Sequence, residues 1–180
     1  VKEDRLQDFN ARATASLLQQ AVSKTGATVV VTSSSTDAKF TASILAGKLK
    51  GGYVNNVVSL PESTGPVVVK RTAFSNKGFA YTELKGSPAI IGVSNNAFGT
   101  VENPVVAETE SFTPEFSDSD FGVRSQSVDK VADKVTIADA EIVVSGGRGL
   151  KGPENWGMIE ELAQVLGAAT ACSKPVSDLG

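Results

Sequence analysis

The sequence predicts an α/β fold with a three-layer, mainly parallel sheet, followed by a second and smaller α/β unit. Helical apolar stripes alternate with short runs of β-branched residues, which is typical of strands that alternate with helices. The chain has 180 residues, the length of one large domain or of one domain and part of another. Of these residues 41% are hydrophobic and 21% charged, which is ordinary globular composition. We expect the two parts at residues 1–136 and 137–180.

The first part opens with a predicted helix over residues 8–24 that ends at Gly26, a residue type suited to a helix C-terminus. The apolar residues of this helix recur at helical spacing: Phe9, Ala13, Leu17 and Ala21. Residues 27–32 are apolar on both faces, which predicts a buried parallel strand. A second helix over residues 37–50 completes a helix–strand–helix segment of a doubly wound sheet.

Short strand-like runs separated by turn residues fill the middle of the chain. We place strands at residues 56–60, 67–71, 78–82 and 89–93, with a further one at 105–112. Turns rich in Gly, Pro and Asn at this spacing predict a meander of antiparallel pairs. The acidic residues that follow, including Asp118 and Asp120, are expected in a solvated loop.

The second part reads as one βαβ unit. A buried strand at residues 140–144 leads into a glycine-rich turn, and Pro153 stands where the next helix begins. Gly167 ends that helix, and the strand that follows ends in Cys172. A single unit of this size cannot bury both faces of its sheet. This feature, and a first residue that is not Met, lead us to expect a piece of a longer chain, incomplete in both domains.

The composition excludes several kinds of chemistry. With no histidine there is no Ser-His or Cys-His pair and no imidazole metal ligand. The single cysteine, Cys172, cannot form an internal disulfide, and its small neighbours predict a buried packing residue. A net charge of −3 gives no electrostatic case for nucleic acid. No apolar run approaches the roughly 18 residues of a membrane span.

The strongest candidate for a binding site is the turn with Gly146, Gly147 and Gly149. Backbone N–H groups in such a turn can approach a phosphate beside a helix N-terminus, and Arg148 adds a permanent positive charge. The spacing matches neither the G-x-G-x-x-G nor the Walker pattern, and glycine turns of this kind also occur for structural reasons.

The residues after the next strand, Ser173 and Lys174, would form the other side of the same crevice. The alternative is a simple turn before Pro175. We expect Trp156 in the core, because it lies on the apolar stripe of the intervening helix.

Residues 142–151, which read IVVSGGRGLK, closely resemble the electron-transfer flavoprotein alpha subunit, as do residues 154–156, 161–163 and 168–175. The resemblance extends over essentially the whole chain and implies a Rossmann-like FAD-binding domain after residue 136. It places Arg148 and Ser173 at FAD-contacting positions, with Gly147 beside Arg148. Lys174 stands where many members carry arginine, which keeps the charge but loses the planar fork.

The family implies a heterodimer with a beta subunit that holds one FAD. Its members accept electrons from acyl-CoA and other dehydrogenases and pass them to a quinone reductase, or take part in related carrier and bifurcating schemes. The expected role is therefore a carrier and not an enzyme, with bifurcating variants left open. The alternatives are a nucleotide-binding module without redox activity, or a flavin or nicotinamide oxidoreductase, for which no substrate acid or base stands out. We expect no membrane insertion and a location in bacterial cytoplasm, with the mitochondrial matrix as the alternative.

Overall fold

The computed structural model of the chain describes residues 1–127, 136–137 and 140–178. They fall into two compact units, Val1–Ser127 and Val128–Gly180, called the first and second unit below. The boundary expected near residue 136 stays a prediction, since residues 128–135 and 138–139 lie outside the described part. Both units combine helices with sheets, which confirms the predicted α/β fold class.

The first unit contains two long helices, α1 (Ala11–Thr25) and α2 (Thr36–Leu49), and six strands. The strands are β1 (Val29–Ser33), β2 (Gly52–Val57), β3 (Ser63–Thr64), β4 (Val67–Ala73), β5 (Gly78–Leu84) and β6 (Ala89–Val93). They form one sheet in the order β1-β6-β2-β4-β3, and β5 also pairs with β4. The pairs of β6 with β1 and β2 are parallel, whereas β4 pairs antiparallel with β2, β3 and β5.

The predicted meander is correct for β4 and β5 but wrong for β6. Strand β6, residues 89–93, lies between β1 and β2 and is parallel to both. Its Ile90 lies opposite Val30 of β1 and Tyr53 of β2. Turn signals report only local chain reversals, so they do not reveal a strand that pairs across a long stretch of sequence.

Helices α1 and α2 cover one face of the sheet, and their core joins Ala15, Ala42 and Leu45 to Ile90 of β6. The predicted stripe of α1 is partly wrong. Ala13 is buried, but Phe9 precedes the helix and is 41% exposed. Leu18 packs against the core cluster.

The opposite face packs residues of the β4–β5 hairpin against residues of β2 and β6: Val54, Val57, Val69, Leu84, Ala89 and Ile91. The prediction that residues 27–32 are buried on both faces is wrong. In β1, Val29 and Val31 are 44% and 65% exposed, because this strand lies at the edge of the sheet.

Residues 105–112, predicted as a strand, have no regular structure. The chain from Glu110 to Glu115 nevertheless contacts α1. Gln20 exchanges two hydrogen bonds with the backbone of Glu115, at 2.6 and 2.8 Å, and Lys24 pairs with Glu110. The acidic run that follows forms a 3-10 turn, Asp118–Phe121, in which Asp120 is buried and not solvated as predicted.

The second unit is the predicted βαβ arrangement. Strand β7 (Val143–Gly146) pairs in parallel with β8 (Ala169–Cys172), and helix α3 (Gly157–Leu166) connects them. Two 3-10 turns, Arg148–Leu150 and Pro153–Asn155, precede α3, and a short helix α4 (Lys174–Ser177) follows β8. Gly167 ends α3 in the left-handed conformation, as predicted. Pro153, predicted at the start of that helix, instead opens the 3-10 turn that precedes it. No helix in the described ranges is long and apolar enough to cross a membrane.

Candidate functional site at the carboxyl edge of β7 and β8

The carboxyl ends of β7 and β8 lie side by side. The backbone N–H of Ser173 donates a hydrogen bond of 3.1 Å to the carbonyl oxygen of Gly146, which joins the end of β8 to the start of the glycine turn. In open parallel sheets, ligands bind outside this edge. The topology therefore brings together the two segments that the sequence predicted as the sides of one crevice.

A cavity of about 790 Å³ opens at this edge within the second unit. The residues that line it come from the glycine turn, the approach to α3, the end of β8 and α4: Gly147, Arg148, Leu150, Lys151, Gly152, Pro153, Trp156, Cys172, Val176 and Ser177. Of the predicted site residues, Gly147 and Arg148 line the cavity. Ser173 and Lys174 adjoin it through Cys172 but are not among these lining residues.

The three turn glycines differ in what surrounds them. A Cβ atom on Gly146 would lie 2.5 Å from Leu150 Cδ1 and 2.6 Å from Trp156 Cζ3, so this position is glycine because two side chains pack against it. Around Gly147 and Gly149 a Cβ atom would meet nothing within 4 Å, and Gly147 has extended backbone with φ −120°. The fold itself does not require glycine there, which leaves room for the close approach of a ligand.

The described lining residues carry two positive charges, on Arg148 and Lys151, and no carboxylate. Neither cation has a side-chain hydrogen bond or ion pair with a described residue, so both can serve a ligand. Leu150, Pro153, Trp156 and Val176 supply an apolar surface beside them. Cations beside apolar and aromatic surface suit a ligand that joins phosphate groups to aromatic rings.

Lys174, which the sequence predicted as a flavin contact, forms an ion pair of 3.3 Å with Asp178 one helical turn later, and both side chains are well exposed. Cys172, predicted as a buried packing residue, is exposed and lines the cavity. The prediction is wrong because β8 belongs to a sheet of two strands, so its end has few neighbours.

Sequence reasoning missed Lys151, although this lysine stands in the motif three residues after Arg148. A charged residue that close to a phosphate-type turn was the available signal. Trp156, expected in the core, both packs at Gly146 and lines the cavity.

Two parallel strands with a cationic glycine turn at the end of the first define an α/β unit of the class that can bind a dinucleotide at the carboxyl edge of its sheet. Two family models match the chain: the electron transfer flavoprotein domain over residues 1–120 and the electron transfer flavoprotein FAD-binding domain over residues 136–180. The chain belongs to the electron transfer flavoprotein family, which confirms the resemblance seen in the sequence.

Two of the curated relatives that the chain resembles are electron transfer flavoprotein alpha subunits. The chain is 33% identical to the electron transfer flavoprotein subunit alpha of Syntrophomonas wolfei over 77% of its length, and 30% identical to that of Bacillus subtilis over 74%. It is 25% identical to the protein FixB of Escherichia coli over 78%. These matches cover 44%, 42% and 45% of the respective relatives, so the matched part of the chain spans less than half of their length.

Proposed function

We propose that the protein binds FAD at the carboxyl edge of β7 and β8 and serves as the alpha subunit of an electron carrier. The observation that carries this proposal is the cavity beside the glycine turn, which lies within the residues that match the FAD-binding domain model. The room around Gly147 and Gly149, the two cations and the apolar surface fit a phosphorylated aromatic cofactor.

When bound, the flavin supplies the electron chemistry, and the protein supplies binding, orientation and electrostatics. Gly147 offers its backbone to the cofactor, and Arg148 offers a planar fork of donors that suits phosphate or a flavin carbonyl. Ser173 and Lys174 approach from the end of β8, and the charge of Lys174 favours added negative charge on the flavin.

The proposed partner is a beta subunit, with which the protein forms a heterodimer around one FAD. The proposed electron donors are acyl-CoA and other dehydrogenases, and the proposed acceptor is a quinone reductase. The family resemblance supports these roles, and the bacterial origin of the relatives supports a place in bacterial cytoplasm.

The proposal is tested on the complete protein, co-expressed with its beta subunit. We expect a visible flavin absorption spectrum, one FAD per heterodimer, and reduction of that FAD by a donor dehydrogenase. Arg148→Ala should weaken FAD binding. Arg124→Ala, which removes an exposed arginine of the first unit, should leave binding unchanged. A heterodimer that is colourless and retains AMP or ATP instead would point to the nucleotide-binding module without redox activity.

A further inference from the structure

The glycine turn contains a lysine in a strained backbone conformation. Lys151 has φ 67° and ψ −39°, and the backbone N–H of Gly152 donates to the carbonyl oxygen of Leu150 at 2.8 Å. This is a γ-turn centred on a residue with positive φ, a rare form that is costly for a residue with a Cβ atom. Glycine would adopt it without strain.

Neighbouring groups hold this turn in place. The carbonyl oxygen of Leu150 accepts a second hydrogen bond of 2.8 Å, from the side-chain amide of Asn155. On the other side, the backbone N–H of Lys151 donates to the carbonyl oxygen of Arg148 at 3.1 Å. Strained conformations persist where the surrounding contacts over-determine them, and such positions cluster at ligand sites.

The strained position places Lys151 on the wall of the cavity, together with Arg148. No carboxylate among the described residues pairs with either side chain. The other lysine of the described second unit, Lys174, is paired with Asp178. Lys151 therefore has no ion-pair partner among the described residues, and it lines a cavity that has room for an anionic ligand.

We propose that Lys151 is a second cationic contact for the cofactor and binds its diphosphate, the part that stays anionic whatever the redox state of the flavin. This inference rests on the proposed function. Arg148 and Lys151 would contact the cofactor in different ways, because Arg148 has a planar fork of hydrogen-bond donors and Lys151 has a compact point charge. The γ-turn holds the lysine toward the cavity before the cofactor arrives.

The test measures FAD dissociation constants of the complete heterodimer, stripped of FAD and titrated by flavin fluorescence. Lys151→Ala should weaken FAD binding about tenfold or more, the loss expected for one charge-assisted hydrogen bond. Lys151→Arg keeps the charge and should bind within about threefold of wild type. Because one ionic contact is lost, the affinity of Lys151→Ala should also depend less on salt concentration than that of wild type or Lys151→Arg.

Lys151→Gly separates charge from backbone strain. Its FAD-free form should melt at a higher temperature than that of Lys151→Ala, because glycine tolerates positive φ, yet it should bind FAD as weakly. Lys50 gives the matched control, since it is an exposed lysine with φ 54° at the end of α2 in the first unit. Lys50→Gly should likewise not lower the melting temperature, and it should leave the FAD dissociation constant unchanged.

An unchanged FAD dissociation constant in Lys151→Ala would overturn the inference. So would full recovery of affinity in Lys151→Gly, because the residue would then matter only for the backbone. If the wild-type heterodimer itself bound no FAD, the proposed function would fail instead, and the two failures are therefore distinguishable.

Discussion

The carboxylate of Asp120 joins three segments of the first unit. It accepts a hydrogen bond of 2.5 Å from the Ser16 hydroxyl on α1, and two of 2.8 and 2.9 Å from the backbone and side chain of Ser117. Lys48 on α2 lies 3.9 Å away. The hydrogen bond from Ser16 is the main cause that holds the pKa of Asp120 below its ordinary value. Burial raises this pKa, whereas the hydrogen bonds from Ser117 and the charge of Lys48 lower it further.

We expect Asp120→Asn to lower the free energy of unfolding at pH 7 by about 1–3 kcal/mol, because hydrogen bonds to a charged group are lost. A lowered folded-state pKa means that this contribution is present above the ordinary carboxyl pKa of about 4 and is lost as pH falls through the folded value. Denaturant unfolding from pH 7 down to 3 should show a flatter acid limb in the variant than in wild type.

The neighbouring Asp118, which is exposed in the same turn, provides the control. Asp118→Asn should change stability by less than about 0.5 kcal/mol. Equal effects of the two substitutions would show that the hydrogen bonds around Asp120 contribute nothing specific.

Substitution of Lys174 tests whether its charge affects the reduction potential of the flavin. If its side chain reaches the flavin, Lys174→Ala should lower the reduction potential on the order of tens of millivolts while FAD stays bound, since a nearby cation favours added negative charge. Asp178→Asn should shift the potential upward, because Asp178 pairs with Lys174 at 3.3 Å. Redox titration of both heterodimers measures this, and an unchanged potential in Lys174→Ala would mean that the lysine does not reach the ring.

At the scale of elements, the β7–α3 turn predicts opposite outcomes for two adjacent glycines. Gly146→Ala should destabilise the fold, because the new Cβ would lie 2.5 Å from Leu150 and 2.6 Å from Trp156. Gly147→Ala should leave the melting temperature nearly unchanged, since its Cβ meets nothing within 4 Å, but should weaken FAD binding where the cofactor approaches the backbone. Thermal melts and FAD titrations of both variants check this; reversed effects would contradict the proposed division.

Elements with local signals could be predicted from the sequence. The capping glycines Gly26 and Gly167 both adopt the left-handed conformation, and the order strand, turn, helix, strand of the second unit is as predicted. The sequence could not reveal that β6 pairs between β1 and β2, because that pairing depends on contacts far apart in the chain. The predicted burial was also wrong in β1, at the edge of the first sheet, and at Cys172, at the end of β8 in the second sheet. Apolar composition does not show which strands have neighbours on both sides.

The sequence predicted those parts of the candidate site that depend on local structure. Gly147 and Arg148 stand in a motif that reports a local turn, and both line the cavity. Lys151 was not selected from the sequence although it stands in the same motif, and its residue type gives no signal for the positive φ that the structure shows. The roles of Ser173 and Lys174 stay predictions, since they depend on how a cofactor lies across the edge of the sheet.

For the whole molecule, the second unit leaves much apolar surface uncovered. In the described residues its sheet has two strands, and around it Ile142, Leu162 and Leu166 are 48%, 49% and 45% exposed. A sheet of two strands is marginal by itself. The part of the chain that matches the Syntrophomonas wolfei relative covers 44% of that protein.

We therefore expect the 180-residue chain alone to bind FAD with a dissociation constant weaker than about 1 µM, a binding free energy less favourable than roughly −8 kcal/mol. The cations and glycines at the end of β7 and β8 can contact only part of a dinucleotide, and the described residues supply no second set of contacts to the rest of the cofactor. Isothermal titration of FAD into the chain, compared with titration of the complete heterodimer stripped of FAD, measures the difference. Sub-micromolar affinity of the chain alone would show that β7, β8 and their turns already form the whole cofactor site.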